Sequence, residues 1–249
     1  MSRASHRFAS ALVAASLLLG LASASADEAT GPTPYPKDQS AWPGDGAIRV
    51  FDFMNDNRRS FWKKREQSQG SVVFVGDSLI GGWKTLAQDF PGMRSANRGI
   101  GGEPTRGLLF RFQEDVLDLH PRGIVILSGG NDLSARQDAD KSRTNLLAIL
   151  AEIDRQTPGV PVIVCTVPPR ADPKAPVDAG QLRKLNRIIM ELGKGHPNVT
   201  VVDLYALLAD PDGSPHADYF VADRVHLTPA GYERLRGALQ PVLVKLKLL

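Results

Sequence analysis

The chain reads as an α/β domain built on a five-stranded parallel sheet, and two observations carry that reading. From Ser71 onward, apolar runs of strand length alternate with amphipathic stretches of helical length, the pattern of repeated βαβ units. The stretch left after the expected leader is removed, about 220 residues, also suits one domain with a sizeable core, and it holds no internal repeat.

The elements follow in order. Arg3 and Arg7 precede an apolar stretch from Phe8 to Ala22 and then Ala24-Ser25-Ala26 before Asp27, which reads as a secretory signal, residues 1–26, with an A-x-A cleavage site. The rival reading, a membrane anchor, fits less well, because the stretch is alanine-rich and shorter than the ~20 strongly apolar residues that a span needs. Export, to a periplasm or the medium, is therefore expected, with no transmembrane segment after cleavage. Residues 27–46 contain Gly31-Pro-Thr-Pro-Tyr-Pro36 and Trp42-Pro43-Gly44, too much Pro and Gly for a regular element, and read as a linker that acts as a tether or a strap. The domain proper is expected over 47–249.

A helix is expected from about Ala47 to Gln67, with Val50, Phe51, Met54, Phe61 and Trp62 on its apolar side and Gly70 as a stop; it would brace the sheet or rim a site. Strands are expected near Val72–Val75, Arg94–Asn97, Gly123–Ser128, Val160–Thr166 and Val199–Val202. The helix after the second strand opens at Pro104, a favoured first helical residue, and repeats Leu108, Phe112, Val116 and Leu119 on one face. Further helices are expected near Ala139–Gln156 and Gly180–Gly193, and from Pro229 to about Leu246.

Charge and cysteine content exclude several classes. Cleavage would take Arg3 and Arg7 from the 30 Lys and Arg, leaving 28 basic against 27 acidic residues. No Lys/Arg stripe with interleaved aromatics suggests a nucleic-acid face, and Lys63-Lys64-Arg65 reads as a solvated helix face. Cys165 is the only cysteine, so no intramolecular disulfide can form. It lies in a strand-like run, where a thiol is a small apolar filler.

Acyl transfer needs an exposed hydroxyl, a base, a group that orients the base, and N–H donors for the developing oxyanion. Each has a candidate. Ser78, in Gly76-Asp-Ser-Leu79, follows the first strand at the sheet edge where open α/β sheets bind ligands; the plainer reading of that turn is an N-cap. Two loops after later strands, Asn97–Glu103 and Ser128–Asp132, would share that edge. There the N–H of Gly102 can join that of Ser78, and Asn131 can add a neutral side-chain donor; plain turn chemistry is the alternative for either loop. Asp223 and His226 lie three apart before a helix, close enough for the carboxylate to orient the imidazole. His216 with Asp218 is a weaker duplicate of this spacing, and His120 and His196, each before Pro, read as loop residues.

Other motifs fail. Gly76 to Gly81 lacks the following lysine of a P-loop, and Pro104 stands where a dinucleotide fingerprint needs its third glycine. Ile80 replaces the second glycine of the G-x-S-x-G elbow, which argues against an α/β-hydrolase. A metal site from His216, Asp218, Asp223 and His226 lacks further ligands.

The four blocks around Ser78, Gly102, Asn131 and Asp223-x-x-His226, in this order, resemble the SGNH (GDSL-type) hydrolase family from about Ser71 to Gly231. The resemblance implies a flavodoxin-like three-layer α/β/α sandwich and ester hydrolysis without a cofactor or metal, with a small-molecule ester, a lipid or an acylated sugar, as substrate. It assigns Ser78 as nucleophile, Asp223 and His226 as the rest of the triad, and Ser78, Gly102 and Asn131 as the oxyanion hole. The Asn97–Gly102 segment and the extra helix are similar to the platelet-activating-factor acetylhydrolase-like branch, except that Glu103 stands where that branch commonly has Asp, and Arg224 where Gly is common. Arg224 would change the loop's conformation or set a cation beside the substrate. Leu79, Ile80 and Trp83 are expected to wall a pocket for short acyl groups. Lysophospholipase and carbohydrate O-acetylesterase are the alternatives within this chemistry; the alternative of another class is an inactive glycan- or lipid-binding module.

Overall fold

The computed structural model describes residues 31–249; the expected signal segment lies outside the described residues. Five parallel strands, β1 (Val72–Gly76), β2 (Ser95–Gly99), β3 (Gly123–Leu127), β4 (Val162–Cys165) and β5 (Val199–Val202), stand in the order β2-β1-β3-β4-β5. Strands β1 and β3 are buried throughout, and alternate residues feed two cores. Val73, Val75, Ile124, Ile126, Val162 and Val164 pack against helices α4 (Thr105–Asp115), α6 (Ala139–Gln156) and α7 (Ala179–Gly195). Val72, Phe74, Val125, Leu127 and Ile163 pack on the other side against the short helices α2 (Ser78–Gly81), α3 (Leu86–Asp89) and α8 (Leu204–Leu208) and against α9 (Pro229–Lys245). The result is a three-layer α/β/α sandwich with the flavodoxin-like strand order, whose ligand crevice opens where the order reverses beside β1.

Register sets the edge. Gly76 is level with Gly99 on one side and with Leu127 on the other, so the segments leaving β1, β2 and β3 emerge together. Strands β1 and β3 meet so closely there that a Cβ on Gly76, whose φ is +149°, would lie 1.9 Å from the Leu127 carbonyl oxygen.

Two sequence expectations are corrected, the start of the first helix and the place of Pro104. Helix α1 spans Asp52–Lys63, and residues 47–51 stay out of it: distant groups hold that stretch, with Gln137 accepting from the Ala47 N–H and Arg49 donating to the Ser134 hydroxyl at 3.1 Å, while Arg106 anchors the residues just before it through the Trp42, Pro43 and Gly46 carbonyls. Residues 31–46 are packed against the domain. Tyr35 and Trp42 stack at 5.4 Å, are buried with Met54 and Ile100, and lie against Phe110 of α4; the compact unit accordingly runs from Gly31 to Leu249. Pro104 stands one residue outside α4, as its N-cap. The first free N–H of that helix, on Thr105, is taken by Asp132 at 2.9 Å.

Candidate active site

Ser78 is the first residue of α2, directly after the buried strand β1. Asp77 caps this turn by accepting from the Leu79 N–H at 2.9 Å. That leaves the Ser78 hydroxyl at the sheet edge, half-buried, with its Oγ 2.9 Å from His226 Nε2 although the two residues lie 148 positions apart. On the far side of the ring, His226 Nδ1 is 2.6 Å from Asp223 Oδ2. The other Asp223 oxygen accepts from the backbone N–H groups of Val225 and His226, both at 2.9 Å, so the carboxylate is fixed before it meets the ring. Burial alone would raise the Asp223 carboxyl, but the His226 ring and the two N–H groups outweigh it and hold the group below its ordinary range. The contact with Asp223 sets the tautomer, Nδ1–H, that leaves Nε2 free to accept from Ser78.

The donor side is assembled from the loops after β2 and β3. Gly101 lies beside Ser78, since a Cβ there would sit 3.7 Å from the serine Cβ. Gly102 has φ +75°, a conformation that side chains resist, and Phe51 closes over it at 2.9 Å from a notional Cβ, so a side chain there would be strained and would have to displace the Phe51 ring. The buried Asn131, in α5 (Gly130–Ser134), reaches between the two other segments: its Nδ2 donates to the Glu103 carbonyl at 3.3 Å and weakly to Asp77 Oδ2 at 3.5 Å. Among the described residues, the N–H groups of Ser78 and Gly102 have no backbone acceptor. The structure thus brings Ser78, Gly102, Asn131, Asp223 and His226 together.

Two buried networks hold the donor loops, and these were not legible in the sequence. Under Gly102, Glu103 accepts from Arg111 Nε at 2.8 and 2.9 Å and from Nη2 at 2.7 Å, while the Tyr35 hydroxyl donates to Oε1 at 3.1 Å. Arg111 also pairs with Asp115 at 3.2 Å. Burial pushes the Glu103 carboxyl up and the guanidinium pulls it down; with both oxygens accepting from Arg111, the carboxylate is the form that the geometry holds. Beside Asn131, Asp132 accepts from Thr105, from Gln137 at 2.9 Å and from Ser142 at 3.1 Å. The residue types carried some signal, since a Glu directly after a glycine pair and an Asp after Asn131 are costly to bury without partners.

The remaining candidates fall elsewhere. His216 stacks on Tyr219 at 4.4 Å and accepts from the Asp218 N–H at 3.3 Å. His120 meets Gln69, and His196 faces Asp154 at 3.6 Å. Burial pushes the Cys165 thiol up to about 12, so it stays unreactive. Among the described residues no cluster of three His, Cys, Asp or Glu side chains has the arrangement that a metal ion needs, and no helix is long and apolar enough to cross a membrane.

The expected acyl wall needs correction. Trp83 is 1 % exposed and its ring packs inward on Phe74, Phe90 and Tyr232, with its indole N–H on Asp89 at 2.6 Å; Ile80 is equally buried. Leu79 alone of the three borders an enclosed cavity at Ser78, of about 10 Å³, together with Leu127, Val167 and Val225. On the other side an open groove of about 580 Å³ is floored by Gly81, Gly82, Gly99 and Gly101 and overlooked by Asn57 and Phe61; Trp83 borders this groove by an edge rather than the enclosed cavity. Phe51 and Phe53, stacked at 5.6 Å and nearly half exposed, stand at its rim over Gly101 and Gly102. A larger groove of about 860 Å³ lies between α6, α7 and α8, remote from Ser78; the chemistry, not the size, locates the site.

Arg224 takes φ +57°, which accounts for the glycine common at that position. Its guanidinium turns toward the Pro215 carbonyl, at 3.5 Å, rather than toward Ser78.

Comparison with known proteins agrees with this geometry. Residues 72–234 match the GDSL-like lipase/acylhydrolase family. The human platelet-activating factor acetylhydrolase IB subunit alpha1 is 28 % identical over 221 residues, covering 82 % of this chain and 90 % of that protein. Among solved structures, a GDSL-like lipase from Bacteroides thetaiotaomicron superposes with a TM-score of 0.67 at 25 % identity, over 78 % of this chain and 99 % of that one. An acetyl xylan esterase gives 0.56 at 25 % identity, over 70 % and 99 %. The chain belongs to the GDSL-like lipase/acylhydrolase family and is an ester-bond hydrolase.

Proposed function

We propose that the protein is an exported serine esterase that removes short acyl groups, acetyl foremost, through an acyl-enzyme on Ser78. The observation that carries the mechanism is the unbroken line from Ser78 Oγ through the His226 ring to Asp223, at 2.9 and 2.6 Å. His226 Nε2 takes the hydroxyl proton as Oγ attacks the ester carbonyl, and Asp223 stabilises the imidazolium. The carbonyl oxygen becomes an oxyanion facing the N–H groups of Ser78 and Gly102 and the Asn131 amide. His226 then protonates the departing alcohol, and a water activated by the same ring releases the acid and restores Ser78.

The acyl preference rests on space. A cavity of about 10 Å³ walled by Leu79, Val167 and Val225 takes about one methyl-sized group, and each further methylene must displace packed side chains. The open groove on the other side suits the alcohol. The names of two relatives, a platelet-activating factor acetylhydrolase and an acetyl xylan esterase, share the acetyl group and differ in the alcohol, so a lipid and a sugar both fit. Export rests on Arg3, Arg7, the apolar stretch and Ala24-Ser-Ala26; a mature amino terminus near Asp27 tests it. A binding module would need no aligned triad, and this weighs against the inactive alternative.

Hydrolysis of 4-nitrophenyl esters by the mature chain is the test. Ser78→Ala and His226→Ala should each remove most turnover with little change in unfolding midpoint. Asn131→Ala should lower kcat by about 10² or more, the scale for one oxyanion donor. Near-normal turnover by Ser78→Ala would sink the mechanism, and rates that rise up to palmitoyl would sink the acyl preference.

A further inference from the structure

Residues 31–51 lie ahead of the residues, 72–234, that match the family, yet they reach both donor loops of the site. The first attachment is Tyr35, buried and stacked on Trp42, whose hydroxyl donates at 3.1 Å to the carboxylate of Glu103, the residue after Gly102. Burial and the neighbouring Glu103 charge push that hydroxyl up, so it stays protonated and can donate. Glu103 in turn offers its carbonyl to the Asn131 amide.

Two further attachments end on Asp132, the residue after Asn131. The Asp45 backbone exchanges two bonds with the Asn145 amide, its N–H donating to Oδ1 at 2.9 Å and its carbonyl accepting from Nδ2 at 2.8 Å. Asn145 Nδ2 also donates to the Thr105 hydroxyl at 2.9 Å, and that hydroxyl donates to Asp132. The Ala47 N–H donates to Gln137 Oε1, while Gln137 Nε2 donates to Asp132 at 2.9 Å. The fit is close at both points. Gly44 has φ +68° and Gly46 φ +95°, and an added Cβ would lie 2.1 Å from Asn145 Oδ1 in the first case and 2.0 Å from Gln137 Oε1 in the second. Asn145 and Gln137 are themselves buried and bonded on their other side, so neither is free to move away. At its end the segment lays Phe51 over Gly102. Among the described residues, none of its hydrogen bonds goes to Asp223 or His226.

We infer that residues 31–51 are a positioning element of the oxyanion hole: Tyr35 sets Glu103 and through it Gly102, and the Asp45–Ala47 turn sets Asp132 and through it Asn131. Both carboxylates are buried, so their places are fixed by the groups that donate to them. Loosening the segment leaves the line from Ser78 through His226 to Asp223 intact and misplaces the donors, so that an ester still binds while its oxyanion is less well stabilised. This rests on the acyl-enzyme reading above, and deepens it by giving Tyr35 and Gly46 a part in the rate.

Two variants of the mature protein test it. Tyr35→Phe removes one oxygen and keeps the ring that stacks on Trp42; Gly46→Ala drives a methyl group against Gln137. Each is assayed with 4-nitrophenyl acetate and with methylboronic acid, to whose boron Ser78 Oγ adds as its proton passes to His226, giving a tetrahedral anion that reports on the oxyanion hole. In Tyr35→Phe, kcat and kcat/KM should fall together by about three- to tenfold, below the scale for outright loss of a donor, with KM within about twofold. The boronate inhibition constant should rise by a similar factor. Gly46→Ala should show the same pattern; if it does not fold, Tyr35→Phe decides alone. A merely structural contact would lower the thermal midpoint and leave kcat and the boronate constant as they were. That result in Tyr35→Phe, or a fall in kcat without weaker boronate binding, overturns the inference and leaves the esterase reading standing. Neither turnover nor boronate inhibition in the unmutated protein would overturn the esterase reading instead.

Discussion

Glu103→Ala is the substitution that most directly asks whether the oxyanion loop is held from below. The change removes three charge-assisted bonds to Arg111, one to Tyr35, and a side chain that is 1 % exposed. Breaking a buried ion pair by removing one partner costs about 3–5 kcal/mol, because the surviving charge stays buried. Arg111 keeps Asp115 at 3.2 Å and the Arg98 carbonyl at 2.8 Å, which places the expected loss near the lower end, about 3 kcal/mol. Urea unfolding with an unchanged slope measures it. Activity should fall as well, since Glu103 adjoins Gly102 and its carbonyl orients Asn131; a drop of about tenfold in kcat is expected, less than outright loss of a donor. Glu103→Leu combined with Arg111→Met should recover part of the stability, because no charge is then stranded. A Glu103→Ala variant within about 1 kcal/mol of the parent and with unchanged kcat would show that the pair does not position the loop.

Two further outcomes follow from the base side. Arg224→Gly should stabilise the fold by about 1 kcal/mol, since glycine takes φ +57° without the penalty a side chain incurs; a loss in the thermal midpoint would contradict this. For Asp223, the folded carboxyl is held below its ordinary value, so its contribution to stability is present above the unfolded pKa and is lost as pH falls through the folded one. The stability gap between the parent and Asp223→Asn should therefore be larger at pH 7 than at pH 3 in urea titrations, and a gap that widens on acidification would reverse the sign.

The strands were legible because Val- and Ile-rich runs leave few alternatives, and the five candidate site residues because Ser78 and Asn131 stand at helix starts after strands, and Gly102, Asp223 and His226 in Gly-, Asp- or Asn-bearing turns, that local chemistry marks. What stayed hidden depends on partners far away in the chain. Residues 47–51 have helical composition, yet Gln137 holds the Ala47 N–H and Ser134 the Arg49 guanidinium. Arg58 looks like part of a solvated face, but it is 1 % exposed, donating to the Thr33 carbonyl and pairing with Glu114 and Asp115. Trp83 follows the nucleophile closely and invites placement at the pocket, whereas Phe74, Phe90 and Tyr232 take most of its ring into the core. The one-turn helices α3, α5 and α8 are too short for a periodic signal.

These partners divide the site into a stiff half and a soft half. The donors, Gly102 and Asn131, rest on buried ionic and polar networks through Glu103, Arg111 and Asp132, which resist displacement because each polar group is satisfied only in one arrangement. His226 and Asp223 have side chains 47 % and 40 % exposed, on a segment held by short local bonds such as the Val221 N–H to the His226 carbonyl at 2.8 Å. The proposed acyl-enzyme chemistry asks for that division. The oxyanion forms at one place in both half-reactions, so its donors lose rate with any movement, whereas the imidazole must serve Ser78, then the leaving alcohol, then water, within hydrogen-bond reach of each. Stiffening the base segment, as Arg224→Gly would not but a proline in the loop would, should therefore slow turnover even where it adds stability.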